Sequence, residues 1–120
     1  MNIVLVDDSE LDLMINKKII EMNYNGTQVS SFGDSDKFFE YVEDCEEPDL
    51  VISDMQMPKT SGLELANRFI NRFGEGYSKL ILLTAFVDDS IRKQVEEVSD
   101  KIHLIEKPLN PRILKDLFAA

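Results

Sequence analysis

The stretch Val51-Ile52-Ser53-Asp54-Met55-Gln56-Met57-Pro58 is an apolar run that ends in a carboxylate, and Pro58 and then Gly62 mark the turn that follows. With Asp49-Leu50 before it and Pro48 as its boundary, it reads as a buried strand over residues 49–54. An acid at the carboxyl end of a buried strand needs a reason. Ligands bind at that end in open α/β sheets, so the question is what other chemistry the chain brings to Asp54.

Upstream, residues 2–7 form a second continuous apolar run, as expected of a strand covered on both faces. It too ends in acid, Asp7-Asp8. Ser9 can cap a helix, with Glu10 and Asp12 near its positive end. Leu11, Met14, Ile15, Ile19 and Met22 recur at helical spacing, which predicts an amphipathic helix over about 10–22 that Asn25-Gly26 breaks. Thr27 to Phe32 is a less apolar strand nearer the sheet edge. The next helix has Phe38, Phe39, Val42 and Cys45 on its inner face, and an acidic outer side that runs to its end.

Downstream, Leu63, Ala66, Phe69, Ile70 and Phe73 define a third helix that stops at Gly74-Glu-Gly76. Lys79 to Thr84 is a fourth strand, ending in a hydroxyl. Asp88 to Val98 is a helix with Ile91, Val95 and Val98 inward, and Ile102 to Glu106 is the fifth strand. Asn110-Pro111 opens a last helix with cap and N1 proline in the expected order; Ile113, Leu114, Leu117 and Phe118 are its apolar side. Five strand–helix alternations predict a parallel sheet with helices on both faces. The alternation leaves the strand order open.

At 120 residues the chain is read as one domain spanning 1–120, large enough to bury a core. Its net charge of −10 argues against direct binding to nucleic acid or to an anionic membrane surface, both polyanions. The single cysteine, Cys45, suits a reducing compartment, and no stretch approaches the length of a membrane span or a signal peptide. A cytoplasmic location is the default.

Four of the five strands end in groups that fit one site: Asp7 and Asp8, Asp54, Thr84 and Lys107. All carboxyl ends of a parallel sheet lie on one edge, so these side chains can converge. Three packed carboxylates repel one another, and a hard divalent cation relieves that conflict; Mg²⁺ takes one or two carboxylates and keeps room for water and a phosphoryl oxygen. Mn²⁺ has similar preferences. Asp54 can then attack phosphorus as a carboxylate nucleophile, while the metal and Lys107 neutralise charge on the non-bridging oxygens and Thr84 donates to one of them.

These residues resemble the receiver domain of two-component response regulators. The resemblance rests on Asp7-Asp8, on Asp54-Met-Gln-Met-Pro-Lys-Thr-Ser-Gly62, on Thr84-Ala85 and on Lys107-Pro108, in the family's order and spacing across nearly the whole chain. It implies a flavodoxin-like sheet of order 2-1-3-4-5 with five helices. It implies phosphorylation of Asp54 by a histidine kinase or histidine phosphotransfer protein. Asp8, Asp54 and the Gln56 backbone carbonyl would bind the metal directly, Asp7 would act through metal-bound water, and the Lys107-Pro108 bond would be cis. Catalysis would be limited to the chain's own phosphotransfer and a slow autodephosphorylation. The face of the fourth helix, fifth strand and last helix, bordered by Lys93, Glu97, Glu106 and Arg112, would carry the output to a protein target or a phosphorylation-dependent homodimer.

The chain departs from the family at Leu104, where an aromatic often couples to the threonine. His103 beside it has no second His or Cys nearby with which to build a metal site. Gln56 and Phe86 flank the path of attacking water, Gln56 able to orient a water and Phe86 to exclude one. Output through a protein contact fits a stand-alone receiver, with a fragment of a longer regulator or hybrid kinase as the alternative. Other readings of this fold are a flavodoxin, which has a Ser/Thr/Gly-rich loop where this chain has Asp7-Asp8, and a phosphatase of the haloacid dehalogenase type, which needs an acid where this chain has Gln56. A phosphate-independent pseudo-receiver is the remaining binding-module alternative.

Overall fold

Alternate residues of a strand point to opposite faces, and in β1 (Asn2–Val6), β3 (Leu50–Asp54) and β4 (Lys79–Thr84) both faces are apolar. Val4, Val6, Val51, Leu80 and Leu82 lie in one core cluster; Ile3, Leu5, Leu50, Ile52, Ile81 and Leu83 lie in the other. Helices therefore cover the sheet on both sides. This computed structural model describes residues 1–44 and 47–118, the last two as backbone only. The expectations for Cys45, for the acid Glu46 and for the side chains of Leu117 and Phe118 fall outside the described residues.

The first cluster is closed by α2 (Ser35–Asp44), α3 (Gly62–Phe73) and α4 (Asp89–Val98), through Phe38, Phe39, Val42, Leu65, Ala66, Phe69 and Val95. The second is closed by α1 (Glu10–Asn23) and α5 (Pro111–Phe118) through Ile20 and Leu114, and Leu109 belongs to the same cluster. The hydroxyl of Tyr24, the residue that caps the C-terminus of α1, donates to the Pro111 carbonyl at 3.3 Å and ties the two helices together. Among the described residues no helix is long and apolar enough to cross a membrane.

With β2 (Gln28–Phe32) and β5 (His103–Glu106) at the edges, the five strands are all parallel in the order β2-β1-β3-β4-β5. This is the flavodoxin-like receiver fold. After β2 the chain crosses back over β1 to start β3, so the winding direction reverses between β1 and β3. A crevice opens at such a reversal, and the Val6–Ser53 register puts Asp7 level with Asp54 across it.

One element differs from the spacing argument. Most of the apolar stripe that marks α1 as amphipathic stands in solvent: Leu11, Met14, Ile15 and Met22 are 65%, 69%, 48% and 75% exposed, and Ile19 is partly buried. The helix packs instead through Ile20, with Leu13 and Tyr24 partly buried beside it. α1 carries apolar residues on two opposite sides, and periodicity cannot tell which side the sheet takes. In α3, Leu65 rather than Leu63 is the fully buried leucine.

Candidate functional site

Local backbone chemistry delivers each candidate group. The Asp7 N–H donates to the Phe32 carbonyl at 3.1 Å, which holds the end of β1 against β2. Ser9 caps α1, its hydroxyl accepting from the Asp12 N–H at 3.2 Å, and its own N–H donates to Asp7 Oδ1 at 3.0 Å. After β3 the Met55 N–H donates to Leu83 O at 2.7 Å and the Gly62 N–H to Met55 O at 2.8 Å, which folds the turn back onto Asp54. The Lys107 N–H donates to Thr84 O at 2.7 Å, and Lys107-Pro108 is cis.

Asp7, Asp8 and Asp54 meet. One carboxylate oxygen from each lies within 4.8 Å of the others, with Asp7 and Asp54 buried and Asp8 exposed. Three hard oxygen donors at this spacing, one facing solvent, fit a divalent cation of the Mg²⁺ type. Receiver domains bind Mg²⁺ at an acidic pocket of this kind. Burial pushes Asp7 up to about 6 against the hydrogen bond from Ser9, with the charge of Asp54 adding to the rise.

Lys107 supplies the counter-charge. Its Nζ is 2.9 Å from Asp54 Oδ1 and 3.8 Å from Asp12 Oδ2. Burial alone would lower its pKa, but the hydrogen bond and charge of Asp54, then Asp7 and Asp12, hold it above the ordinary value. The ammonium thus stays charged, with a donor on the proposed nucleophile.

Thr84 is buried at the end of β4, but its hydroxyl donates to the Phe86 carbonyl at 3.1 Å and accepts the Phe86 N–H at 3.4 Å. It is occupied by its own loop rather than offered to Asp54. Gln56 is exposed in the loop after β3. Phe86 is 64% exposed, and a ring with so few neighbours excludes water only when something else holds it over the site. Leu104 is partly buried and packs on the first core cluster, while His103 is exposed on the edge strand. Partial burial and then the charge of Lys79 lower the His103 pKa, so the ring is neutral at pH 7. In the sequence Asp12 stands out only as an acid at a helix start. Its separation from Lys107 in sequence hid the contact.

The model of the response regulator receiver domain matches residues 3–119. The cyclic di-GMP phosphodiesterase response regulator RpfG of Xanthomonas campestris is 31% identical over 115 residues, covering 96% of this chain and 30% of that protein. The aerobic respiration control sensor protein ArcB of Escherichia coli is 28% identical over 111 residues, covering 92% of this chain and 14% of that one. The chain thus spans under a third of the length of these relatives. A two-component response regulator from Cytophaga hutchinsonii superposes with a TM-score of 0.87 at 23% identity, covering 98% of this chain and 93% of that one, a likeness of fold.

Proposed function

Because this chain belongs to the family of response regulator receiver domains, we propose that residues 1–120 act as the phosphoacceptor of a two-component signalling system, with Asp54 as the site of attachment. Receiver domains are phosphorylated by histidine kinases or phosphotransfer proteins. The observation that carries the assignment is the 2.9 Å contact of Lys107 Nζ with Asp54 Oδ1 inside the cluster of three acids.

The chemistry follows from the residues. A carboxylate oxygen of Asp54 attacks phosphorus, the bond from phosphorus to the donor's imidazole nitrogen breaks, and its electron pair leaves on the ring. Lys107 neutralises charge on the phosphoryl oxygens that replace the carboxylate charge. Asp8, Asp54 and the Gln56 carbonyl would hold Mg²⁺ directly and Asp7 through water, and the ion, when bound, offsets the repulsion among acids and phosphate. The Thr84 hydroxyl gives up the Phe86 carbonyl to donate to a phosphoryl oxygen. That exchange frees the β4–α4 loop and transmits the state to the face of α4, β5 and α5, where a protein target or a second copy binds.

The test is incubation with acetyl phosphate and Mg²⁺, followed by intact-mass measurement. Wild type is expected to gain the mass of one phosphoryl group and Asp54→Asn none. Equal labelling of both, or none in wild type, would sink the assignment and favour a pseudo-receiver.

A protein donor needs a place to dock, and the exposed stripe of α1 supports one. Leu11, Met14, Ile15 and Met22 share a face with Lys18, and the helix begins directly after Asp7-Asp8. A partner helix laid on this stripe would bring its phosphohistidine to the acidic edge. The double variant Leu11→Glu/Ile15→Glu is expected to slow transfer from the phosphohistidine protein that labels wild type by about tenfold or more, the size of a lost apolar anchor. Labelling by acetyl phosphate should stay within about twofold. A parallel loss with both donors would point to damage at the site instead.

A further inference from the structure

Asp12 stands apart from the acids that the strands deliver. It lies in the first turn of α1, and its Oδ2 is 3.8 Å from the same Lys107 Nζ that touches Asp54 Oδ1 at 2.9 Å. One ammonium is therefore shared by two carboxylates on different elements, Asp54 buried and Asp12 partly exposed. We propose that Asp12 is a positioning residue for phosphoryl transfer: it withholds part of the Lys107 charge from the phosphoryl group and adds negative charge that strengthens binding of the divalent cation. The inference rests on the receiver reading given above.

The two effects have opposite signs because the two ligands do. A phosphoryl group carries negative charge into the space that Lys107 serves, so a carboxylate beside Lys107 repels it and competes for the ammonium. A divalent cation next to Asp7, Asp8 and Asp54 is attracted by the same charge. Asp12 reaches the cluster through the ammonium that also contacts Asp54. The 2.9 Å bond to buried Asp54 is the stronger hold on Lys107, so Asp12 adjusts the position of the ammonium without determining it. Asp12 and Lys107 have 42% and 32% exposed side chains, and solvent screening at that exposure limits each effect to about two- to fivefold.

A structural role is the competing explanation, because an acid in the first turn of a helix favours it. The side-chain amide of Asn removes the charge and leaves the Asp12 N–H on the Ser9 hydroxyl, so Asp12→Asn separates the two. The experiment measures Mg²⁺ binding by calorimetry and acetyl phosphate labelling across Mg²⁺ concentrations, for wild type, Asp12→Asn and Asp12→Glu. Asp12→Asn should weaken Mg²⁺ binding about two- to fivefold and raise the labelling rate at saturating Mg²⁺ by a similar factor. Asp12→Glu should return both toward wild type. Unchanged constants in Asp12→Asn, or slower labelling at saturating Mg²⁺, overturn the proposal while the receiver reading stands. If wild type takes no label, the receiver reading falls and the proposal falls with it.

Discussion

Asp7→Asn is expected to raise the melting temperature of the metal-free protein at pH 7 and to remove most of the further rise that Mg²⁺ gives wild type. Burial in the crevice between β1 and β3 is the main cause that holds Asp7 at about 6, above its ordinary 3.8. A group whose folded pKa is raised binds more protons in the folded state, so its stabilising contribution is complete below about 4 and is lost as pH climbs through about 6. At about 1.4 kcal/mol per pH unit of displacement the loss is about 3 kcal/mol at neutral pH. Asn keeps an oxygen to accept from the Ser9 N–H and carries no charge to bury. The variant should therefore gain about 1–3 kcal/mol at pH 7, or about 4–12 °C for a domain of this size, and nothing at pH 4. Mg²⁺ would relieve the same cost in wild type by placing positive charge among the acids, so its stabilising effect should grow from pH 5 to pH 7. Thermal melts of both proteins across that range, with and without Mg²⁺, check the sign. Parallel curves for wild type and variant would refute it.

Much of the site was legible because strand ends are easy to find in a parallel sheet. Each of β1, β3 and β4 is an apolar run closed by a polar residue, and the topology brings those ends to one edge. The family resemblance then supplied the strand order and the cis bond at Lys107-Pro108, which periodicity alone could not. Three features escaped the sequence for physical reasons. α1 has apolar residues on both sides, and the choice between burying Ile20 and burying Ile15 is made by the sheet and α5, not by the helix. Asp12 and Lys107 belong to opposite ends of the chain, and their 3.8 Å separation exists only after α1 and β5 have both docked on the sheet. The Thr84 hydroxyl is a third case: its position at the site was readable, but its commitment to the Phe86 carbonyl depends on the turn after β4.

Gly62→Ala should destabilise the fold and slow labelling together, because the first residue of α3 rests on the backbone of the acid. A Cβ at position 62 would run into the Asp54 carbonyl oxygen and come within 2.9 Å of Met55 Cα and 3.0 Å of the Asp54 carbonyl carbon. Those are backbone atoms of β3 and the residue after it, so no side chain can rotate away. Gly62 does not occupy the left-handed region, so the requirement is for space and not for an unusual φ. Relief would require the turn to open, lengthening the 2.8 Å bond from the Gly62 N–H to Met55 O and shifting Asp54 against Lys107. Overpacking of this kind costs about 1–3 kcal/mol, and contact with backbone puts this position at the upper end. A loss of about 3 kcal/mol corresponds to more than about 10 °C in melting temperature. Labelling by acetyl phosphate should fall about tenfold or more, since a small displacement of a nucleophile is enough for that. Gly33→Ala is the matched control: its Cβ would meet nothing within 4 Å and its φ is ordinary, so stability should stay within about 0.5 kcal/mol. If the two variants melt and label alike, the close approach of α3 to Asp54 is not what the turn requires glycine for.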